Sequence, residues 1–257
     1  MKSKMQAAAF AQLVVRAYKN DKGIFSKKVN AEELIPKTAN DKQKALFLFY
    51  VIQLDYAVRS QNLYTGAQRL FLTNPSFFSP HYINNLPPKE LEKILRKYLK
   101  PRYINEAIRR YKENSRILIK KYQGDPRKIF QWSNSAEEVL QILRNFRGFG
   151  PKIGNFFVRT MINTFNYSYP DIEDLLPPVD VHDVKIAYLL GFVNSPEMTN
   201  KNIKKVKNLW SNACKKAGVS WLIFDKALWL LGSEGQPKSK NDIFKLLDRV
   251  PFSTLQN

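Results

Sequence analysis

The 257-residue chain contains a single cysteine, Cys214, only two histidines and few acidic residues. One cysteine excludes an intramolecular disulfide and a metal site built from several thiolates, and it fits a reducing cytoplasm. There are 42 lysines and arginines against 22 aspartates and glutamates, which gives a formal net charge of +20. This excess predicts a polyanionic partner, because lysine and arginine release counterions from phosphates when they bind. A lysine-rich solvated surface is the alternative.

Long apolar runs are also absent. The longest one, residues 45–52, is far too short to span a membrane. The first four residues are basic, but Gln12, Arg16 and Lys19 interrupt the next apolar stretch, and no cleavage motif appears. The sequence therefore predicts neither a signal peptide nor a membrane partner.

Apolar residues recur at helical spacing along almost the whole chain, and no segment alternates convincingly with a period of two. A Ser135–Glu138 capping box predicts one helix start, and Gly191 is placed just after a helix end. We therefore predict an all-α protein. Helices are predicted over residues 7–18, 41–71 (with Ser60 as a point of breakage), 89–99, 104–122, 135–146, 151–165, 181–190, 201–216, 220–231 and 242–249.

Residues 146–152 read Phe-Arg-Gly-Phe-Gly-Pro-Lys, a Gly-x-Gly turn that opens onto a helix. Such a turn directs unpaired backbone N–H groups outward, where they can hold a phosphate. Pro151 suits the first helical position, so Lys152 is predicted in the first turn, at the positive end of the helix dipole. That position favours the neutral amine, which is the form able to attack a sugar carbon. A lysine that only contacts phosphate is the alternative.

Residues 178–182 read Pro-Val-Asp-Val-His and predict that Asp180 is the N-cap of another helix. A carboxylate there can stabilise positive charge on a sugar ring, or it can serve as a cap alone, and the two roles are compatible. Asp183 is predicted to be an ordinary charge in the first helical turn, and His81 is predicted in a loop.

In this order and spacing, the two stretches resemble the signature of the helix-hairpin-helix (HhH-GPD) DNA glycosylases, Leu/Phe-x-Gly-x-Gly-x-Lys followed by Pro-Val-Asp-x-His. The chain lacks the four-cysteine cluster of that superfamily's iron–sulfur branch. The resemblance implies a single unit over residues 1–257, made of two interleaved helical lobes. It places the hairpin (136–166) and the aspartate segment (177–191) at a DNA-binding cleft.

The same resemblance implies the roles of individual residues. Lys152 would be the nucleophile, and Asp180 would stabilise charge on the sugar. Contacts to the DNA backbone are implied for Arg147, Gly148, Phe149, Gly150 and His182.

The distance along the chain from Lys152 to Asp180 is longer than in endonuclease III-like enzymes and is typical of the archaeal 8-oxoguanine glycosylase branch. Asp225-Lys-Ala-Leu-Trp229 resembles that branch's helix in which tryptophan stacks on the flipped base and aspartate hydrogen-bonds it. Residues 60–71 resemble its Ser-x-Gln-Leu segment. This likeness implies base contacts for Gln61 and Asn62, and also for Phe71, where the branch usually has tryptophan.

The expected function is excision of an oxidised purine, 8-oxoguanine, from double-stranded DNA by a bifunctional glycosylase and AP lyase. The resemblance implies a cytoplasmic, nucleoid-associated monomer without metal or organic cofactor. A glycosylase for oxidised pyrimidines or uracil is one alternative. The other is a non-catalytic hairpin protein that binds DNA or RNA, in which Trp229 and Phe71 would be core residues.

Overall fold

The computed structural model describes residues 6–175 and 177–247, within which all regular structure is helical and no strand occurs. This confirms the predicted all-α class. Four short helical turns lie between the helices, at Gly23–Ser26, Ala31–Leu34, Leu95–Leu99 (a π turn) and Ile172–Asp174. The helices are α1 (Ala7–Lys19), α2 (Asp41–Ile52), α3 (Ser60–Thr73), α4 (Pro80–Asn85), α5 (Pro88–Ile94), α6 (Ile104–Tyr122), α7 (Arg127–Gln131), α8 (Ala136–Leu143), α9 (Pro151–Phe165), α10 (Val181–Leu189), α11 (Asn200–Ala217), α12 (Trp221–Ser233) and α13 (Lys240–Leu246).

The chain divides into two compact units. Residues 29–175, with α2 to α9, form the continuous unit. The described residues on either side of it, 6–28 and 177–247, form the discontinuous unit, with α1 and α10 to α13.

The core of the continuous unit is built around α2, which is buried on every face from Ala45 to Ile52. A capping box starts this helix: the Asn40 side chain accepts from the Gln43 N–H, and the Gln43 side chain accepts from the Asn40 N–H, both at 3.0 Å. The two bonds satisfy N–H groups that the helix itself cannot pair. α2 therefore provides a rigid apolar support for the elements packed around it.

The discontinuous unit has its own apolar core. α1 packs on α11 and α12, and α10 packs on α12. The Trp210 ring of α11 lies at the centre, in contact with Phe10, Phe192 and Phe224. No helix within 6–175 and 177–247 is both long enough and apolar enough to cross a membrane.

The predicted helix bounds agree with the structure in part. The break expected near Ser60 in the 41–71 region is present: it runs from Gln53 to Arg59, and Ala57 within it adopts a φ of +52°. Asp55 in this break accepts hydrogen bonds from the hydroxyls of Ser60, at 2.7 Å, and Tyr64. The helix after Ser135 ends at Leu143, because Phe146 turns into the aromatic core. His81 lies on the short helix α4, which begins at Pro80, and not in a loop.

Gly66 gives a test of the packing in the continuous unit. A Cβ atom at this position of α3 would overlap the carbonyl oxygen of Tyr98 in the π turn. We expect Gly66→Ala to lower the free energy of unfolding, measured by urea titration, by about 1–3 kcal/mol or more, because backbone must move.

Gly154→Ala is the matched control within α9. A Cβ there meets only Leu140 Cδ2, at an ordinary 3.5 Å, and the Phe149 carbonyl oxygen at 3.8 Å. The change should therefore be neutral or stabilising by up to about 1 kcal/mol. Equal urea midpoints for the two variants would contradict the close contact at Gly66.

Candidate functional site

The turn that joins α8 to α9 is anchored by two phenylalanines. Phe146 and Phe149 are 2% and 3% exposed. Both rings contact Phe49 of α2, with centroids 5.4 Å and 5.0 Å away, and Phe149 lies stacked on it. Phe149 was predicted to contact the DNA backbone, but its side chain is part of the core. Only the backbone of that residue is left for such a contact, and its N–H already donates to the Phe146 carbonyl.

The buried amide of Asn114 holds the same turn from α6. Its Oδ1 accepts from the Arg147 N–H at 2.8 Å, and its Nδ2 donates to the Arg147 carbonyl at 2.9 Å. Nδ2 also donates to Oε1 of Gln53, just after α2, at 2.8 Å. The three hydrogen bonds of the fully buried Asn114 side chain therefore hold the hairpin backbone to α6 and to the end of α2.

The two glycines of the hairpin have different surroundings. Gly148 has a φ of +89°, and a Cβ there would lie 2.8 Å from Nε of Arg110. Gly150 is the N-cap of α9, and a Cβ there would meet nothing within 4 Å. Within the described part of the chain, no group accepts a hydrogen bond from the backbone N–H of Gly148, Gly150 or Ile153. These three donors, at the start of a 15-residue helix, form a site suited to an anion.

Pro151 occupies the first position of α9, as predicted, and Lys152 follows it in the first turn. The Lys152 side chain is exposed. Ile153, the next residue of the same turn, is buried, so the start of the helix is anchored while Pro151 and Lys152 are exposed. Lys152 thus combines an exposed amine with a rigidly supported backbone.

Arg147 already has partners within the continuous unit. Its guanidinium donates to both Glu106 oxygens, at 2.9 Å and 3.0 Å, and to Glu113 at 3.4 Å. The hydrogen bond and charge of Glu106 raise the pKa of Arg147 further. A phosphate contact by this side chain would have to compete with Glu106, so the predicted role of Arg147 stays a prediction.

Asp180 is the N-cap of α10 and is 8% exposed. Its Oδ1 accepts from the backbone N–H groups of His182, at 2.8 Å, and Asp183, at 3.4 Å. In return, Oδ2 of Asp183 accepts from the Asp180 N–H at 2.7 Å. The capping role is confirmed, and it holds the carboxylate in one orientation.

Asp183 is not the solvated first-turn charge that we expected. It is 4% exposed, and burial raises its pKa well above the usual range. The nearby carboxylates of Asp180 and Asp225 raise it further. The sequence signal was present, because an aspartate three residues after an N-cap aspartate has the spacing of a capping box. In the described chain, no group of three or more His, Cys, Asp or Glu side chains is arranged to hold a metal.

The predicted residues of α12 lie on the side that packs against α10. Asp225 is 6% exposed and lies near enough to act on Asp183. A Cβ at Gly232 would lie 2.5 Å from Cβ of His182, so the two helices touch there and His182 has a packing role. Trp229 is part-exposed and lies one turn from each of these positions on the same helical face. The discontinuous unit thus brings Asp180, His182 and Asp225 together at the start of α10.

The residues predicted on α3 are not brought together. Gln61 is part-exposed and Asn62 exposed, both in the first turn. Phe71 lies in the last turn, about 15 Å along the helix from Gln61. Phe71 is 2% exposed, and its ring contacts Phe47 and Phe78. This burial favours the core role for Phe71, and its base contact stays a prediction.

Sequence reasoning missed an exposed aromatic pair in the continuous unit. Tyr56 and Tyr103 are 57% and 53% exposed, and their rings are stacked with centroids 6.5 Å apart. The Arg102 guanidinium lies 5.4 Å from the centre of the Tyr103 ring. Exposed aromatic faces beside a cation are suited to contact nucleic acid bases. The available signal was an aromatic residue in each of two non-helical segments, with Arg102 directly before Tyr103 and Arg59 three residues after Tyr56.

One solved structure that resembles the chain is a trapped endonuclease III–DNA covalent intermediate, an estranged-adenine complex. The TM-score is 0.58 at 16% sequence identity, and the match covers 91% of this chain and 89% of that chain. The chain therefore has an endonuclease III-like helix-hairpin-helix fold. No protein-family model matches it, and no curated protein matches it significantly.

The Asn114 contacts give a test of the hairpin support. Asn114→Ala leaves the Arg147 N–H and carbonyl without their buried partner, at roughly 1–3 kcal/mol for each group left unsatisfied. We expect a urea midpoint well below that of the wild type. Asn145→Ala is the control, because that exposed side chain donates only to the Ile142 carbonyl. A loss no larger than the control's would show that the three Asn114 hydrogen bonds contribute little.

Proposed function

We propose that this protein is a DNA glycosylase with AP lyase activity that acts as a monomer on double-stranded DNA. The lesion we assign to it is an oxidised purine, 8-oxoguanine. Several independent features support the DNA partner: the net charge of +20, the open N-terminus of α9 and the exposed Tyr56–Tyr103 pair. The likeness to an endonuclease III trapped on DNA agrees with it.

The observation that carries the proposal is the placement of Lys152. An exposed lysine follows Pro151 in the first turn of α9, next to backbone donors that suit a phosphate. A hairpin protein that only binds nucleic acid does not need both a lysine at this motif position and the N-cap aspartate Asp180.

The chemistry depends on a neutral amine. After the damaged nucleotide leaves the stack, the Lys152 nitrogen attacks C1′, and the base departs with the electrons of the glycosidic bond and gains a proton. The nitrogen loses its protons as the sugar ring opens, which leaves an imine. Loss of a C2′ proton then expels the 3′ phosphate and breaks the strand. Every step uses side chains and the substrate alone.

Asp180 is the group that we assign to stabilise the sugar during this reaction. Positive charge develops on the sugar as the base departs, and a preorganised carboxylate stabilises that charge. The two hydrogen bonds from the start of α10 hold the Asp180 carboxylate in place before the substrate arrives. This preorganisation supports a catalytic role in addition to the cap.

The base assignment rests on α12. Asp225 can accept a hydrogen bond from N7–H, a proton that 8-oxoguanine has and guanine lacks. Trp229, one turn further along, is part-exposed and can supply a stacking plane. Their position beside Asp180 and Asp183 supports a pocket in this region of the discontinuous unit.

Covalent trapping tests the nucleophile. With borohydride present, wild-type protein should become linked to duplex DNA that contains 8-oxoguanine, because the imine is reduced to a stable amine. Lys152→Gln should abolish the linked species on a denaturing gel. Lys121→Gln, on the exposed face of α6, is the control and should trap normally. Trapping by the Lys152 variant at the wild-type level would show that another residue is the nucleophile.

Two substrates test the base assignment. We expect Asp225→Asn and Trp229→Ala to slow excision of 8-oxoguanine, the latter by a barrier increase of about 1–3 kcal/mol if stacking is lost. Cleavage of a preformed abasic site should remain nearly intact, since no base is recognised there. Equal losses on both substrates would assign the two residues to the fold. Normal excision in both variants would exclude α12 from the pocket.

A further inference from the structure

Both members of the α10 capping box are buried aspartates. The other box in the described chain, at the start of α2, is made of the neutral side chains of Asn40 and Gln43. At α10 the exchange is reciprocal: Asp180 accepts from the Asp183 N–H, and Asp183 accepts from the Asp180 N–H. A neutral pair would satisfy the same donors without placing two carboxyl groups together away from water. The capping need alone therefore does not account for this pair.

We propose that Asp183 is a positioning residue, whose backbone N–H and carboxyl group hold Asp180 from two sides and set the direction of its carboxylate. This inference rests on the proposed function, because it concerns the sugar-facing role of Asp180. Asp183 is 4% exposed, and the role assigned to it is to act on the reaction through Asp180.

The geometry determines where a proton resides. Two buried carboxyl groups that cap the same helix turn favour a state in which one of them keeps its proton, because ionising both together is costly. Burial raises the pKa of Asp183 well above its usual range, and the charges of Asp180 and Asp225 add to this effect. Protonated Asp183 donates a side-chain hydrogen bond to Asp180. The neutral Asp183 thereby holds the side chain of Asp180, the group that the proposed reaction uses.

The charges that act most strongly on the pKa of Asp183 are both negative. α12 brings Asp225, and the segment before α10 brings Asp180. The buried Lys226, next along α12, lies with its ammonium 5.1 Å from the centre of the Tyr18 ring of α1. His182 and Lys185 are the titratable neighbours on α10 itself. The buried residues of α11 carry no charge: Val206, Trp210, Ala213 and Cys214.

The inference predicts a dependence on pH with a definite sign. The pKa of Asp183 is higher in the folded protein than in the unfolded chain. Its contribution to stability is therefore fully present below the unfolded pKa and is lost as pH rises through the folded pKa. Loss of the proton also places a second negative charge beside Asp180. Both stability and the reaction rate should therefore decline on the alkaline side.

Two variants separate the roles of Asp183. Asp183→Asn imitates the protonated acid and can still accept from the Asp180 N–H, whereas Asp183→Ala removes the acceptor. Gln43→Ala is the matched control, since it breaks the corresponding contact in the α2 box. For each protein we would measure the urea midpoint and the single-turnover cleavage of duplex DNA with one preformed abasic site, both from about pH 5 to about pH 9.

Wild type should show an alkaline decline in rate and midpoint that Asp183→Asn lacks, with rates near wild type at neutral pH. Asp183→Ala should lose up to about a hundredfold in rate, as expected for a misplaced group. Gln43→Ala should lower the midpoint and leave the rate profile unchanged.

The outcomes distinguish this inference from the proposed function. Active wild type together with an unchanged rate in Asp183→Ala would overturn the positioning role alone. The positioning role would also be overturned if Asp183→Asn showed the same alkaline decline as the wild type. That second comparison remains decisive if Asp183→Ala fails to fold. Wild-type protein that cleaves neither abasic nor lesion-containing DNA would overturn the proposed function and this inference with it.

Discussion

The position of the hairpin depends on one buried amide. Asn114 exchanges two hydrogen bonds with the backbone of Arg147 and gives a third to Gln53. With the backbone fixed there, the Phe149 ring stacks on Phe49, and α9 begins one residue after Gly150. The exposed donors and Lys152 derive their positions from this support. Polar groups buried with all their hydrogen bonds made are well suited to such a task, because any displacement leaves them unsatisfied in a place without water.

At the start of α10, two acidic side chains hold the backbone in place, as the Asn114 amide does at the hairpin. Asp180 and Asp183 cap one helix end reciprocally, and Asp225 approaches from α12. This acidic group is buried in a strongly basic protein, and the excess of lysine and arginine leaves its local electrostatics unaffected because charges at the surface are screened by solvent. A strongly basic composition and a buried group of acidic side chains are thus compatible in one chain.

The sequence was sufficient where local patterns decide the structure. The predicted bounds of α6 and α9 agree with the structure, because each helix has a strong apolar stripe and ends at a residue in the left-handed region, Gln123 or Asn166. The Gly-x-Gly turn and the cap at Asp180 were also predictable, since proline, glycine and aspartate have strong positional preferences. Contacts between distant segments were not. The hydrogen bonds of Asn114, the burial of Phe71 and the approach of Asp225 to Asp183 join residues far apart in sequence, and no periodicity encodes them.

The order of the units along the chain has a consequence for how the protein is made. The continuous unit is translated without interruption, and all its helices are complete once residue 175 has left the ribosome. α1 is synthesised before any of these, yet its packing partners α11 and α12 come near the end of the described chain. The apolar face of α1, with Phe10, Val14 and Tyr18, must therefore wait through most of translation for the surface that buries it. During that interval the apolar face of α1 lacks the surface of α11 and α12 that buries it in the folded chain.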